Sequence, residues 1–100
     1  MKFEWDIEKA NKNLENHQID FNEAKTVFDD PLAYIFDEEW NSYGENRELI
    51  IGLSNKKRLL IVSFTERQYE VIRIISSRLT TRKEGQDYEQ QRRYRTRNAL

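Results

Sequence analysis

RELIIGLSNKKRLLIVSFTERQYEVIRIISSRL, residues 47–79, holds three β-prone runs broken by two short polar stretches. Ser54-Asn55-Lys56-Lys57 and Glu66-Arg67-Gln68-Tyr69 separate strands expected at Arg47–Leu53, Arg58–Thr65 and Glu70–Leu79. Connections this short force antiparallel neighbours, because a parallel crossover needs about a dozen residues or more. Leu59-Leu60-Ile61-Val62 and Ile72, Ile74 and Ile75 are apolar on both parities, so both faces of these strands are expected to be covered. Simple alternation puts Val71, Arg73, Ile75 and Ser77 on one side of the last strand and Ile72, Ile74, Ser76 and Arg78 on the other.

Upstream, Leu32-Ala33-Tyr34-Ile35-Phe36 is a fourth β-prone run, between the turn residues Asp29-Asp30-Pro31 and the acidic run Asp37-Glu38-Glu39. At the N-terminus Phe3-Glu4-Trp5 alternates as a short strand. Asp6 then caps a helix with Ile7, Ala10, Leu14 and His17 on one stripe. Ile19, Asp20 and Glu23 have the spacing of a staple residue and a capping box, opening a helix whose buried face is Phe21, Ala24, Val27 and Phe28 and which Pro31 ends. Thr81 and Glu84 repeat the capping-box spacing before a last helix over about 81–97. Its apolar face is only Tyr88 and Tyr94, so it is expected to be peripheral. The order β-α-α-β-β-β-β-α predicts an α+β fold: a short N-terminal strand, two helices, a four-stranded antiparallel meander and a C-terminal helix. Residues 1–100 make one domain of common size.

With 37% hydrophobic and 35% charged residues, the chain can build one core inside a strongly solvated exterior. It has no cysteine, which excludes disulfides and thiolate chemistry. The first residues carry acids where a signal peptide runs apolar, and no stretch reaches the ~18 apolar residues of a membrane span. A cytoplasmic protein with no membrane association is the expectation. The formal net charge of -1 conceals a split: residues 1–48 carry 5 Lys/Arg against 13 Asp/Glu, and residues 49–100 carry 12 against 5. A basic half suggests a polyanion partner, while mutual neutralisation of the two halves is the plainer alternative.

Arg73 and Arg78 interrupt an apolar strand, and a guanidinium there must reach a carboxylate, solvent or a ligand anion. Arg67 lies in a tight connection. Lys56 and Lys57 form a hairpin tip that also blunts edge pairing, and Arg82 and Lys83 follow the last strand. If Arg67, Arg73, Arg78 and Arg82 lie along one edge of the meander, their forked donors suit phosphate oxygens, and RNA in particular. His17 is the single histidine, and no Cys/His metal spacing, glycine-rich phosphate loop or serine elbow is present. RNA cleavage by a pair of histidines is therefore excluded. Cleavage without metal or cofactor remains open, with arginines stabilising charge on the phosphate and one weak acid or base moving the proton. So does a structural role for His17 at a helix end, favoured by the dipole.

Phe3-Glu4-Trp5-Asp6, Lys9-Ala10, Asn13, Glu15 and His17, then Phe21, Glu23-Ala24 and Val27-Phe28-Asp29-Asp30-Pro31, form an ordered set with Gly44-Glu45-x-Arg47, Ile51-Gly52, Thr65-x-Arg67, Ile72-Arg73-Ile74-Ile75-Ser76-x-Arg78, Glu84 and Tyr88. This set, from Phe3 to about Tyr88, resembles the BrnT toxins. The resemblance implies a RelE-like α+β fold and the toxin of a type II toxin–antitoxin pair, a ribonuclease that halts translation. It implies a BrnA-like antitoxin that covers the toxin in a hetero-oligomer and contacts operator DNA, which the toxin meets only through that partner. Carried over by position, the site candidates are His17, Arg47, Arg67, Arg73 and Arg78. Of these His17, Arg67, Arg73 and Arg78 are expected to be catalytic, and Arg47 to bind RNA together with Lys56, Lys57, Arg82 and Lys83, which the reading of the basic residues adds. Gln18 stands where the family usually shows glycine, and Ser77 where it usually shows alanine. A non-catalytic module using the same basic edge, and a purely structural subunit whose arginines are all paired with acids, are the alternatives.

Overall fold

The computed structural model describes residues 1–38 and 46–98. Glu39 of the acidic run and Gly44 and Glu45 of the resemblance lie outside the described residues. The order is β1 (Lys2–Glu4), α1 (Ile7–His17), α2 (Phe21–Ala24) continued by a 3-10 turn (Lys25–Asp29), β2 (Tyr34–Asp37), β3 (Glu48–Leu53), β4 (Leu59–Arg67), β5 (Val71–Leu79) and α3 (Arg82–Asn98). The expected meander is present as β2-β3-β4-β5, all antiparallel. β1 adds to it: it pairs parallel with β5, so the sheet is five-stranded and mixed, in the order β1-β5-β4-β3-β2.

Capping accounts for where the helices begin. The Asp6 carboxylate accepts from the backbone N–H groups of Glu8 and Lys9 at 2.8 and 3.2 Å, satisfying donors that the first turn leaves open. Asp20 caps α2 through the Asn22 N–H at 2.7 Å, but Glu23 does not close the expected box. Its side chain is buried and turned toward the β3–β4 connection, where it accepts from Arg58 and from the Ser54 hydroxyl. Arg58 holds the Glu23 carboxyl below its ordinary pKa. Pairing a buried carboxylate outweighs satisfying one exposed donor at a helix start. β2 begins later than expected because Asp30 takes its first residues into a turn: its carboxylate accepts from Leu32 N–H at 2.9 Å and its carbonyl from Ala33 N–H at 3.1 Å.

α1 and α2 cover one face of the sheet. Ile19, Phe21, Ala24 and Val27 pack there on Ile50, Leu60, Val62, Phe64, Ile72 and Ile74. Phe28 sits edge-on against both Phe3 and Phe64, which ties β1 into this core. The other face carries a smaller cluster in which Tyr88 of α3 packs with Ile51 and Ile61. Tyr88 is 1% exposed and its hydroxyl donates to Asp30 at 2.7 Å, so the thin face of α3 is anchored through one aromatic while Tyr94 stays exposed. Gly52 is required where the 3-10 turn meets β3: a Cβ there would lie 2.8 Å from the Ala33 Cβ and 3.0 Å from a Val27 methyl.

Asn13 joins α1 to β5. Its side-chain amide donates to the Ser77 carbonyl at 2.9 Å and to the Ile19 carbonyl at 3.0 Å, and its oxygen accepts the Ser77 N–H at 3.0 Å. The amide thus supplies the edge of β5, beyond the reach of the three-residue β1, with the hydrogen bonds a further strand would make.

Candidate functional site

The sheet face opposite α1 and α2 carries Arg67, Arg73 and Arg78, and a β-bulge brings the last two to the same side. Ser63 pairs with Ser76 but Phe64 pairs with Ile74, leaving Ile75 as the extra residue. Alternation alone placed Arg73 and Arg78 on opposite faces. With the bulge, Arg73 lies across from Thr65 and Arg78 across from Ile61, and these β4 residues share a face. Three rows cross the sheet on this side: Tyr34, Ile51, Ile61 and Arg78; then Phe36, Leu49, Ser63 and Ser76; then Thr65, Arg73 and Glu4. A last row pairs Arg67 with Val71. α3 covers the first row, and the later ones lead into open clefts.

His17 and Arg78 meet in one cleft of about 320 Å³, which Glu38, Leu49, Ile61, Ser63 and Ser76 also line. His17 is the exposed last residue of α1. The helix stops there because Gln18 is left-handed, with φ 57° and ψ 31°, and returns its N–H to the Leu14 carbonyl at 2.9 Å. This is the conformation for which glycine is usual, so Gln18 carries a steric cost that glycine avoids. Gln18→Gly is expected to raise stability by about 1 kcal/mol in urea denaturation, with an unchanged m-value. A loss of stability would mean that the Gln18 amide bond to the Glu15 carbonyl, 2.9 Å, outweighs the strain. One carboxylate oxygen of Glu38 is buried in this region and has no hydrogen-bond partner among the described residues.

Arg78 is held by Glu84 through two parallel bonds of 2.8 and 3.0 Å. Glu84 also closes the capping box of α3, accepting the Thr81 N–H at 2.8 Å while its own N–H donates to the Thr81 hydroxyl at 3.2 Å. The Arg78 guanidinium first, and the Thr81 N–H after it, outweigh the effect of burial and pull the Glu84 carboxyl down to about 2. With a further bond to the Leu79 carbonyl at 3.2 Å, three of the five guanidinium N–H donors are occupied, and Arg78 remains 42% exposed, with donors left for an anion. Because the folded carboxyl is more acidic than an ordinary glutamate, its stabilisation is complete above pH ~4.5 and lost as pH falls toward ~2. Glu84→Gln is therefore expected to flatten the decline in stability across that window, read from denaturation midpoints at successive pH values. An unchanged decline would show that Glu84 does not carry it.

The other arginines lie farther along the strands. Rows are about 7 Å apart, so Arg67 is about 20 Å from Arg78 along the sheet, and one phosphate cannot bridge them. Arg73 donates to Glu4 at 3.0 Å. Glu4, Thr65, Arg67 and Asn46 line a second cleft of about 540 Å³, where the Thr65 hydroxyl is buried without a hydrogen-bond partner among the described residues. Arg47 lines a third with Asn46 and Glu38, so shared residues link all three clefts along the open face. Lys56 and Lys57 are in the β3–β4 turn and Arg82 and Lys83 in the first turn of α3, at the end of the sheet away from Arg67. The single basic edge is thus two groups, because a strand of this length spreads its side chains over about 26 Å.

Glu38 and Ser63 carried no distinguishing motif in the sequence, and Thr65 and Ser76 stood inside the resemblance without an assigned role. Among the described residues, no helix is long and apolar enough to cross a membrane, and no group of three or more His, Cys, Asp or Glu could hold a metal ion.

Residues 5–84 match the family model described as the ribonuclease toxin BrnT of type II toxin–antitoxin systems. The structure is similar to the crystal structure of the Brucella abortus ribonuclease toxin BrnT, with 25% sequence identity, a TM-score of 0.64, and coverage of 82% of this chain and 99% of that one. A comparison with curated proteins gives no match. The fold, the extent of the family match and the ordered motifs agree: this chain belongs to the BrnT family of type II toxin–antitoxin ribonuclease toxins.

Proposed function

We propose that the chain is an endoribonuclease that cleaves RNA on the open face of its sheet, with the His17–Glu38–Arg78 cleft as the reaction centre. The observation that carries this reading is the convergence, in one cleft, of two proton-transfer groups and a clamped guanidinium from α1, the end of β2 and β5. The RNA 2′-hydroxyl attacks the adjacent phosphorus: the O2′–P bond forms, the P–O5′ bond breaks, and a 2′,3′-cyclic phosphate and a 5′-hydroxyl result. One of His17 and Glu38 takes the 2′-proton and the other protonates the departing oxygen. Arg78 stabilises charge on the phosphate, and its bonds to Glu84 fix the fork before the substrate arrives. Arg67 and Arg73, with the Thr65 hydroxyl and Arg47, bind phosphates further along the strand. Lys56, Lys57, Arg82 and Lys83 contribute at the opposite end. Cleavage of this kind would inhibit translation. The antitoxin is a BrnA-like protein that covers the open face, with exposed Ile35 and Phe36 on the edge strand β2 offering it a place to add a strand.

A non-catalytic binding module using the same basic edge is the second reading, and a purely structural subunit is the third, favoured by the pairing of Arg73 with Glu4 and Arg78 with Glu84. Regulated expression separates them. The enzyme is expected to arrest growth and fragment cellular RNA, and co-expression of its antitoxin to restore both. Growth arrest with intact RNA would favour the binding module, and normal growth without the antitoxin would contradict the toxin reading.

A further inference from the structure

The family match ends at Glu84, yet α3 runs on to Asn98. That continuation is presented in a fixed position. Tyr88 is buried against Ile51 and Ile61 and bonded to Asp30, and Arg95 donates to the Ala33 carbonyl at 2.8 Å, just before β2. α3 therefore lies across the first row of the open face, next to Ile61, which also lines the His17–Arg78 cleft.

From Gln90 to Asn98 the helix carries Arg92, Arg93, Arg95 and Arg97 and no acid. Arg92, Arg93 and the exposed Tyr94 line a shallow cleft of about 580 Å³ with Gln90 and Thr96. Core packing does not require this composition, since beyond Tyr88 the helix offers the core no further aliphatic residue before Asn98. A protein groove or a membrane surface would need an apolar stripe at i, i+3, i+4 and i+7, and this segment has none. Planar guanidinium groups beside an exposed tyrosine suit a single nucleic-acid strand, whose phosphates take the forks and whose bases stack on the ring.

We propose that Arg92, Arg93 and Tyr94 form an RNA-binding arm outside the BrnT core, which holds single-stranded RNA as it leaves the open face. The proposal rests on the ribonuclease reading above. The test is fluorescence-anisotropy titration of a labelled single-stranded 2′-O-methyl RNA, which the attack proposed above cannot cleave, at a series of salt concentrations. Wild type is compared with Arg92→Ala/Arg93→Ala, Arg92→Lys/Arg93→Lys and Tyr94→Ala, each checked for an unchanged thermal midpoint. The double alanine variant is expected to lose about tenfold or more in affinity and to flatten the slope of log K against log salt by about 1.4, at roughly 0.7 per phosphate contact. The lysine variant should keep most of the slope, and Tyr94→Ala should lose about tenfold in affinity at an unchanged slope. Wild-type binding with equal affinity and slope in the variants would overturn the arm and leave the ribonuclease reading standing. Failure of wild type to bind RNA would overturn both. Tighter binding of duplex DNA than of RNA, or loss of antitoxin affinity with RNA affinity intact, would assign the patch to another partner and overturn the proposal.

Discussion

Replacing His17 with alanine is expected to slow RNA cleavage by the purified protein by about 10²–10⁴-fold while leaving its circular dichroism and thermal midpoint unchanged. The side chain is exposed at the end of α1, so little packing is lost with it. Glu38→Gln is expected to slow cleavage by a similar factor, because the amide keeps the shape of the carboxylate but cannot exchange the proton. The double variant should then be scarcely slower than either single one, since the two groups serve one transfer sequence. If His17→Ala cleaves at the wild-type rate, the histidine only ends the helix. Arg78 is a poorer first probe, because removing it also unpairs Glu84 and loosens the start of α3.

Asn13→Ala is expected to cost about 3 kcal/mol or more in stability, a large part of what a domain of this size possesses. The side chain is 5% exposed, and its loss leaves the Ser77 N–H and the Ser77 and Ile19 carbonyls without the partners it supplied. Chemical denaturation checks this directly, and Asn13→Asp separates size from hydrogen bonding, since aspartate can accept from Ser77 but cannot donate. A cost below about 1 kcal/mol for both variants would mean that water replaces the amide at this edge. The same variants should weaken cleavage before they unfold the protein, because Asn13 ties the end of α1, and so His17, to β5 beside Arg78.

The strands and helix starts were legible because their signals are local. Antiparallel order followed from connections too short for any crossover, and Asp6, Asp20 and Thr81 all cap the helices they precede. The fate of Glu23 was not legible, since the capping box depends on neighbours in sequence and the competing Arg58 arrives from the distant β3–β4 connection. The faces of Arg73 and Arg78 were misread for a related reason. A bulge at Ile75 leaves no mark in a run of isoleucines, yet it reverses the parity of every residue after it. In the site, His17 and the arginines stood out by residue type. Glu38 was hidden in an acidic run and Thr65 in an ordinary strand, and only the assembled sheet brings them to the clefts. Gln18 is the opposite case: its departure from glycine was visible in the sequence, and its left-handed backbone is where that departure is felt.

The central claim is that this open face cleaves RNA by attack of the 2′-hydroxyl, and the chemistry of the product ends tests it most directly. Incubation of the purified protein with single-stranded RNA is expected to give fragments with 5′-hydroxyl and 2′,3′-cyclic phosphate ends, and the same RNA carrying 2′-O-methyl groups should remain intact. Intact RNA in the first case, or cleavage that leaves 5′-phosphate ends or proceeds through the methylated strand, would contradict it.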